Sequence, residues 1–157
     1  RLGGDPRRIV LAGHSAGAYN AVMLGLDGRY LDAAGVDPGR VKALAGLSGP
    51  YDFLPLKGEI TTRVFGDTPD LPGTQPTAYV SANAPPAFLA TGDADDMVWP
   101  KNTIALAAAY RAAGVEVDER HYAGVDHVNM VLALSRPLRR RAPVLAEMSG
   151  FLARHAG

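Results

Sequence analysis

The sequence predicts an α/β fold, with about four mainly parallel strands flanked by helices. Two observations carry that prediction. Short, almost continuously apolar runs bounded by Gly, Pro and Asp alternate with longer helix-forming stretches. A chain of 157 residues that is 47% hydrophobic and 20% charged also suits one globular core of ordinary size.

The elements run in order along the chain. Arg1-Leu2-Gly3-Gly4-Asp5-Pro6 reads as the close of a helix, because glycine supplies a left-handed cap and proline stops continuation. A preceding helix, and more of the chain with it, is therefore expected to be missing here. "RIVLAGH" (8–14) has the unbroken apolar character of a strand covered on both faces. "SAGAYNAVMLGL" (15–26) and "RYLDAAG" (29–35) follow as helices, and "VKALAGLS" (41–48) as a second buried strand. Each strand is introduced by an Asp-Pro turn, at Asp5-Pro6 and Asp37-Pro38.

Residues 49–86 are rich in Pro, Gly, Asp and Thr, and read as an excursion of loops and short helices, the kind of insertion that carries function. "PAFLATG" (86–92) is a third strand, and "PKNTIALAAAYRAAG" (100–114) a helix with Pro near its start and Gly114 as its stop. "VEVDERHY" (115–122) alternates apolar and polar residues, as an edge strand does. "APVLAEMSGFLARHAG" (142–157) closes the chain as a helix with Val144, Leu145, Met148, Phe151 and Leu152 on one stripe.

Charge and composition exclude several function classes. Sixteen basic and sixteen acidic residues cancel, so no global field favours nucleic acid or an anionic membrane. No apolar run reaches membrane-spanning length. The absence of cysteine removes disulfides, thiolate catalysis and cysteine-ligated zinc, and fits a cytoplasmic protein. No pair of histidines has helical ligand spacing, so no metal site is expected. The basic run "RPLRRRAP" (136–143) lacks interleaved aromatics and reads as a solvated loop.

One stretch demands chemistry. Gly13-His14-Ser15-Ala16-Gly17 stands between a strand and a helix, the context in which Gly-X-Ser-X-Gly presents a serine hydroxyl above a sheet. The flanking glycines relieve crowding at a strained turn. The Ala16 N–H, at the helix start, is placed to stabilise an oxyanion. The competing reading is a serine that merely caps the helix.

Nucleophilic chemistry needs a base and a carboxylate to orient it, in chain order serine, acid, histidine. "TGDADDMVWP" at the end of the third strand offers Asp93, Asp95 and Asp96, and "YAGVDHVNM" beyond the fourth places His127 in a loop. All these candidates follow strands on one side of a parallel sheet, where such folds place their sites. His14 lies beside the serine, while His121 and His155 fit structural roles.

"GHSAG", "LSGPYDFLPL", "TGDADDMVWPKN" and "AGVDHVNMV" together resemble the C-terminal half of α/β-hydrolase carboxylesterases of the esterase and lipase type, including kynurenine formamidase-like members. The resemblance covers practically the whole chain as one partial domain. It implies an acid in a Gly-X-X-Asp-X-X-Val pattern, matched by Gly92, Asp95 and Val98, which selects Asp95. It also places Ser15 and His127 as nucleophile and base. The His-Gly-Gly-type loop that supplies further oxyanion donors in that family has no match here.

The function so implied is that of a serine hydrolase of carboxylic esters that needs no cofactor and acts on a small-molecule ester. His14, Tyr19, Asn20, Tyr51, Phe53, Trp99 and Met130 are candidates for lining its pocket. Amide or formamide hydrolysis, peptidase activity and a catalytically silent binding module remain open alternatives. Self-association, or completion by an N-terminal half, is the expected fate of the edge of strand 8–14.

Overall fold

The computed structural model describes residues 4–156, so the helix end expected at Gly3-Gly4 lies partly outside the described residues. Strands β1 (Ile9–His14), β2 (Val41–Leu47), β3 (Ala87–Gly92) and β4 (Val117–Tyr122) form one sheet in the order β1-β2-β3-β4, all parallel. Parallel neighbours require crossovers, and the chain supplies them with helices. Helices α1 (Ala16–Leu26) and α2 (Arg29–Ala33) join β1 to β2, and α4 (Lys101–Ala112) joins β3 to β4. Helix α3 (Glu59–Phe65) and two short 3-10 turns at 72–74 and 76–79 occupy the expected excursion. Helices α5 (His127–Leu132) and α6 (Val144–Ala156) complete the chain.

The period-2 alternation of the central strands sorts their side chains into two cores. On one face Leu44 and Leu89 pack with Ala18 and Val22 of α1 and with Leu106 and Tyr110 of α4. On the other, Ala43, Ala45, Phe88 and Ala90 meet Met130 of α5 and Val144 and Phe151 of α6. The apolar stripe of α6 explains its docking: Val144 and Phe151 are fully buried, and Met148 and Leu152 pack against the same cluster. Both Asp-Pro turns form as their chemistry dictates, with the Asp5 and Asp37 carboxylates accepting the N–H of Arg7 and Gly39.

The structure departs from the sequence reading at two places that matter. The apolar run 8–14 predicts a strand covered on both faces, yet Val10 and Ala12 of β1 are exposed. The reason is topological: β1 has β2 as its one strand neighbour among the described residues. The sequence places His127 in a loop, but it opens α5, because the Asp126 side chain accepts the Asn129 N–H and caps the helix. Strand β4 does lie at the opposite edge, and its Glu119 and Arg120 form ion pairs with Arg111 and Glu147. Among the described residues, no helix is long and apolar enough to cross a membrane.

Candidate active site

Ser15 is the single residue between β1 and α1, and it holds a conformation that L-residues avoid, with φ 57° and ψ −126°. The turn is fixed from both sides. Its N–H donates to the Leu47 carbonyl at 2.9 Å, while its own carbonyl accepts from Ala18 and Tyr19 at 3.0 and 3.1 Å. The backbone thus serves strand and helix at once. The side chain makes no capping bond to α1, so the cap reading of Ser15 fails.

The two flanking glycines differ in what they do. A Cβ on Gly13 would collide with the Gly17 carbonyl and the Ala18 nitrogen, whereas a Cβ on Gly17 would meet nothing. Steric relief therefore belongs to Gly13, and the expectation that both glycines supply it is corrected. Ala16, exposed at the first position of α1, presents an N–H from the end of the helix where amides lack intrahelical acceptors.

Asp95 sits in the turn after β3, 3% exposed. One carboxylate oxygen accepts the N–H groups of Met97 and Val98 at 3.1 and 2.8 Å. The other accepts from His127 Nδ1 at 2.8 Å. A carboxylate only accepts, so Nδ1 carries the proton, and in the neutral ring Nε2 is left as an acceptor. Ser15 Oγ lies 2.9 Å from that nitrogen and donates to it. Three residues that follow three different strands, the last of them opening α5, stand in one hydrogen-bonded line. Asp93 and Asp96 take no part: both are exposed, Asp93 accepts from the Gly124 N–H, and the Asp96 backbone carbonyl accepts from the Trp99 indole.

Ser15 and His127 open into a cavity of about 750 Å³ with Phe53, Leu54, Met97 and Trp99 on its walls. Of the seven residues singled out for the pocket, Phe53 and Trp99 line it. Tyr19 stands behind Phe53, ring centroids 6.0 Å apart, and its hydroxyl donates to the Thr74 carbonyl. Asn20 borders a separate hollow of about 350 Å³ with Met23 and Tyr30. Tyr51 and Met130 are corrections, since both are wholly buried in the cores on either face of the sheet. His14 lies outside the cavity lining and turns instead toward His127, its Nε2 donating to the His127 carbonyl at 2.9 Å.

The sequence reading missed Leu54, Ile60 and Met97 on the cavity wall, and Asn102, which is buried at the start of α4 and accepts the N–H groups of Tyr51 and Asp52. The available signal for Asn102 was an amide side chain two residues after Pro100, in the polar first turn Lys101-Asn102-Thr103. Ile60 carries no such signal, because it is 79% exposed on a helix that packs loosely.

The BD-FAE family model matches residues 1–110. The chain is 32% identical over 168 residues to Esterase LipQ of Mycobacterium tuberculosis (strain ATCC 25618 / H37Rv), a match that covers 96% of this chain and 38% of that protein's length. It is similar to the structure of a truncated form of a carbohydrate esterase from gut microbiota, with a TM-score of 0.75 at 19% identity, over 97% of this chain and 61% of the other. Thermogutta terrifontis esterase 2, phosphoramylated by tabun, gives a TM-score of 0.73 at 22% identity, covering 98% of this chain and 57% of that one. At such identities the structural matches establish the fold.

Proposed function

We propose, from the premise that this chain belongs to the BD-FAE family and has part of an α/β-hydrolase fold, that it carries the machinery of a serine hydrolase acting on carboxylic esters. The observation that carries the reading is the line from Ser15 through His127 to Asp95, with the serine in a left-handed turn at the mouth of a cavity. Esterase names among the relative and the fold neighbours support an ester as substrate.

Each step follows from the proton positions. Ser15 Oγ attacks the acyl carbon while its proton passes to His127 Nε2, and Asp95 stabilises the imidazolium through the Nδ1–H bond. The carbonyl oxygen gains negative charge and receives the Ala16 N–H at the positive end of α1. Collapse of the tetrahedral intermediate breaks the C–O bond, and the departing alkoxide takes the proton from Nε2. An acyl-serine remains. Water then repeats the sequence, giving its proton to His127 and releasing the acid with Ser15 restored.

Turnover of a p-nitrophenyl short-chain ester by the purified chain and by Ser15→Ala tests the reading. Loss of turnover and of labelling by a fluorophosphonate probe in Ser15→Ala is the expected result. Equal turnover in both proteins removes it.

A further inference from the structure

We infer that His14 is a positioning residue, whose Nε2–H clamps the main chain of His127 to the strand that presents Ser15. The inference rests on the reading of Ser15 and His127 as nucleophile and base. His14 is the last residue of β1 and pairs in register with Leu47 of β2, so its backbone belongs to the sheet and moves with Ser15. Its Nε2 lies 2.9 Å from the carbonyl oxygen of His127, 113 residues away in the chain. A carbonyl only accepts, so Nε2 is the protonated nitrogen. The two imidazoles are also in contact, with centroids 4.6 Å apart and planes tilted by 46°.

An imidazole that shuttles a proton needs two anchors to stay aimed at one oxygen. Asp95 fixes the side chain of His127 at Nδ1, a bond to the turn after β3 and not to the strand that presents Ser15. The His14 bond holds the other end, the main chain. Because His14 and Ser15 are adjacent in sequence, the clamp closes a short circuit between nucleophile and base.

The charge state of His14 matters to this arrangement. Burial lowers its pKa, and a positive charge on His127 lowers it further, whereas the bond to the His127 carbonyl and the Asp95 carboxylate act in the opposite sense. A neutral His14 leaves His127 free to become imidazolium without a second cation against its face. His14 therefore serves in its neutral, Nε2-protonated form.

The test uses the full chain labelled with 15N-histidine, the His14 signals being assigned by their loss in His14→Gln. Nε2 protonated and Nδ1 bare at neutral pH is expected, and an Nδ1-protonated neutral ring overturns the clamp. Kinetics on the short-chain ester add a second readout. His14→Phe keeps an aromatic ring and loses the donor, so kcat should fall about tenfold to a hundredfold with KM changed less than about twofold. His14→Gln carries a donor of similar reach and should restore most of kcat. Unchanged kcat in His14→Phe, or an equal fall in both variants, overturns the proposal. Retained turnover in Ser15→Ala would instead sink the parent reading, and the tautomer measurement would still decide the clamp.

Discussion

Gly92, the last residue of β3, lies against the carbonyl of Val125 with no room for a Cβ between them. That contact fuses the turn after β3 to the turn after β4. The Ala94 N–H donates to the same Val125 carbonyl at 3.2 Å, and the Asp93 carboxylate accepts the Gly124 N–H. Two turns that are separate in sequence become one platform, and on it Asp95 and His127 sit at bonding distance.

The platform assigns different tasks to three neighbouring carboxylates. Asp95→Asn should lower kcat by several orders of magnitude, about 10⁴-fold on the scale seen when a serine hydrolase loses the carboxylate behind its histidine. Asp96→Asn should act mildly, since its side chain is exposed and away from the line. Asp93→Asn keeps an acceptor for Gly124 and should fall between them. Steady-state kinetics on a p-nitrophenyl ester rank the three, and a crippled Asp96→Asn beside an active Asp95→Asn would contradict the ranking.

The order of elements was legible because β1, β2 and β3 are dense apolar runs and β4 an alternating one, with glycine, proline or aspartate near their ends, and the serine, acid and base all follow these strands. The start of α5 escaped because its helical signal is short and lies within a Gly-containing segment that reads as a turn. The Asp126 cap, visible only as an acid one residue before His127, decides it. Pocket lining was the least legible part. An aromatic such as Tyr51 suits a core and a cavity equally well, and Gly46 and Gly49, whose missing side chains leave room for its ring, stand too far apart in meaning to be read from sequence.

The glycines around Ser15 make opposite predictions. Gly13→Ala forces a methyl into the Gly17 carbonyl, and overpacking of this kind against backbone should cost about 2 kcal/mol or more. Gly17→Ala meets open space inside a helix, where alanine is favoured by up to about 1 kcal/mol over glycine. Urea melts should therefore show Gly13→Ala less stable and Gly17→Ala at least as stable as the parent. Two equal destabilisations would mean that Gly17 is crowded after all.

Asp27 gives a pH-dependent prediction. Its buried carboxylate accepts the Arg29 side chain at 2.8 and 2.7 Å, and these bonds first of all hold its pKa below the usual carboxylate value. Arg29 also reaches the Tyr79 hydroxyl, so the pair ties the end of α1 to the excursion. A carboxyl depressed in the folded state stabilises the fold above the unfolded pKa of about 3.9. The contribution is lost as pH falls through the folded value. Asp27→Asn should melt a few degrees below the parent at neutral pH, and the two melting curves should converge in strong acid. A gap that persists undiminished there would assign the loss to packing rather than charge.

The two edges of the sheet are built differently, and the difference predicts how the chain associates. Strand β4 carries Asp118, Glu119, Arg120 and His121, charges that discourage a further strand from pairing. Strand β1, from Ile9 to His14, has no Asp, Glu, Lys or Arg, exposes Val10, and has no strand on its outer side among the described residues. Unpaired N–H and C=O groups beside apolar side chains form a template for another strand. Size-exclusion chromatography with light scattering should show mass rising with concentration, and Val10→Lys should shift the distribution toward monomer without changing the far-UV circular dichroism. The matching change on the other edge, His121→Lys, should leave the mass distribution as it was. A monomer at every concentration, or equal responses to both substitutions, would mean that the β1 edge is not the associating surface.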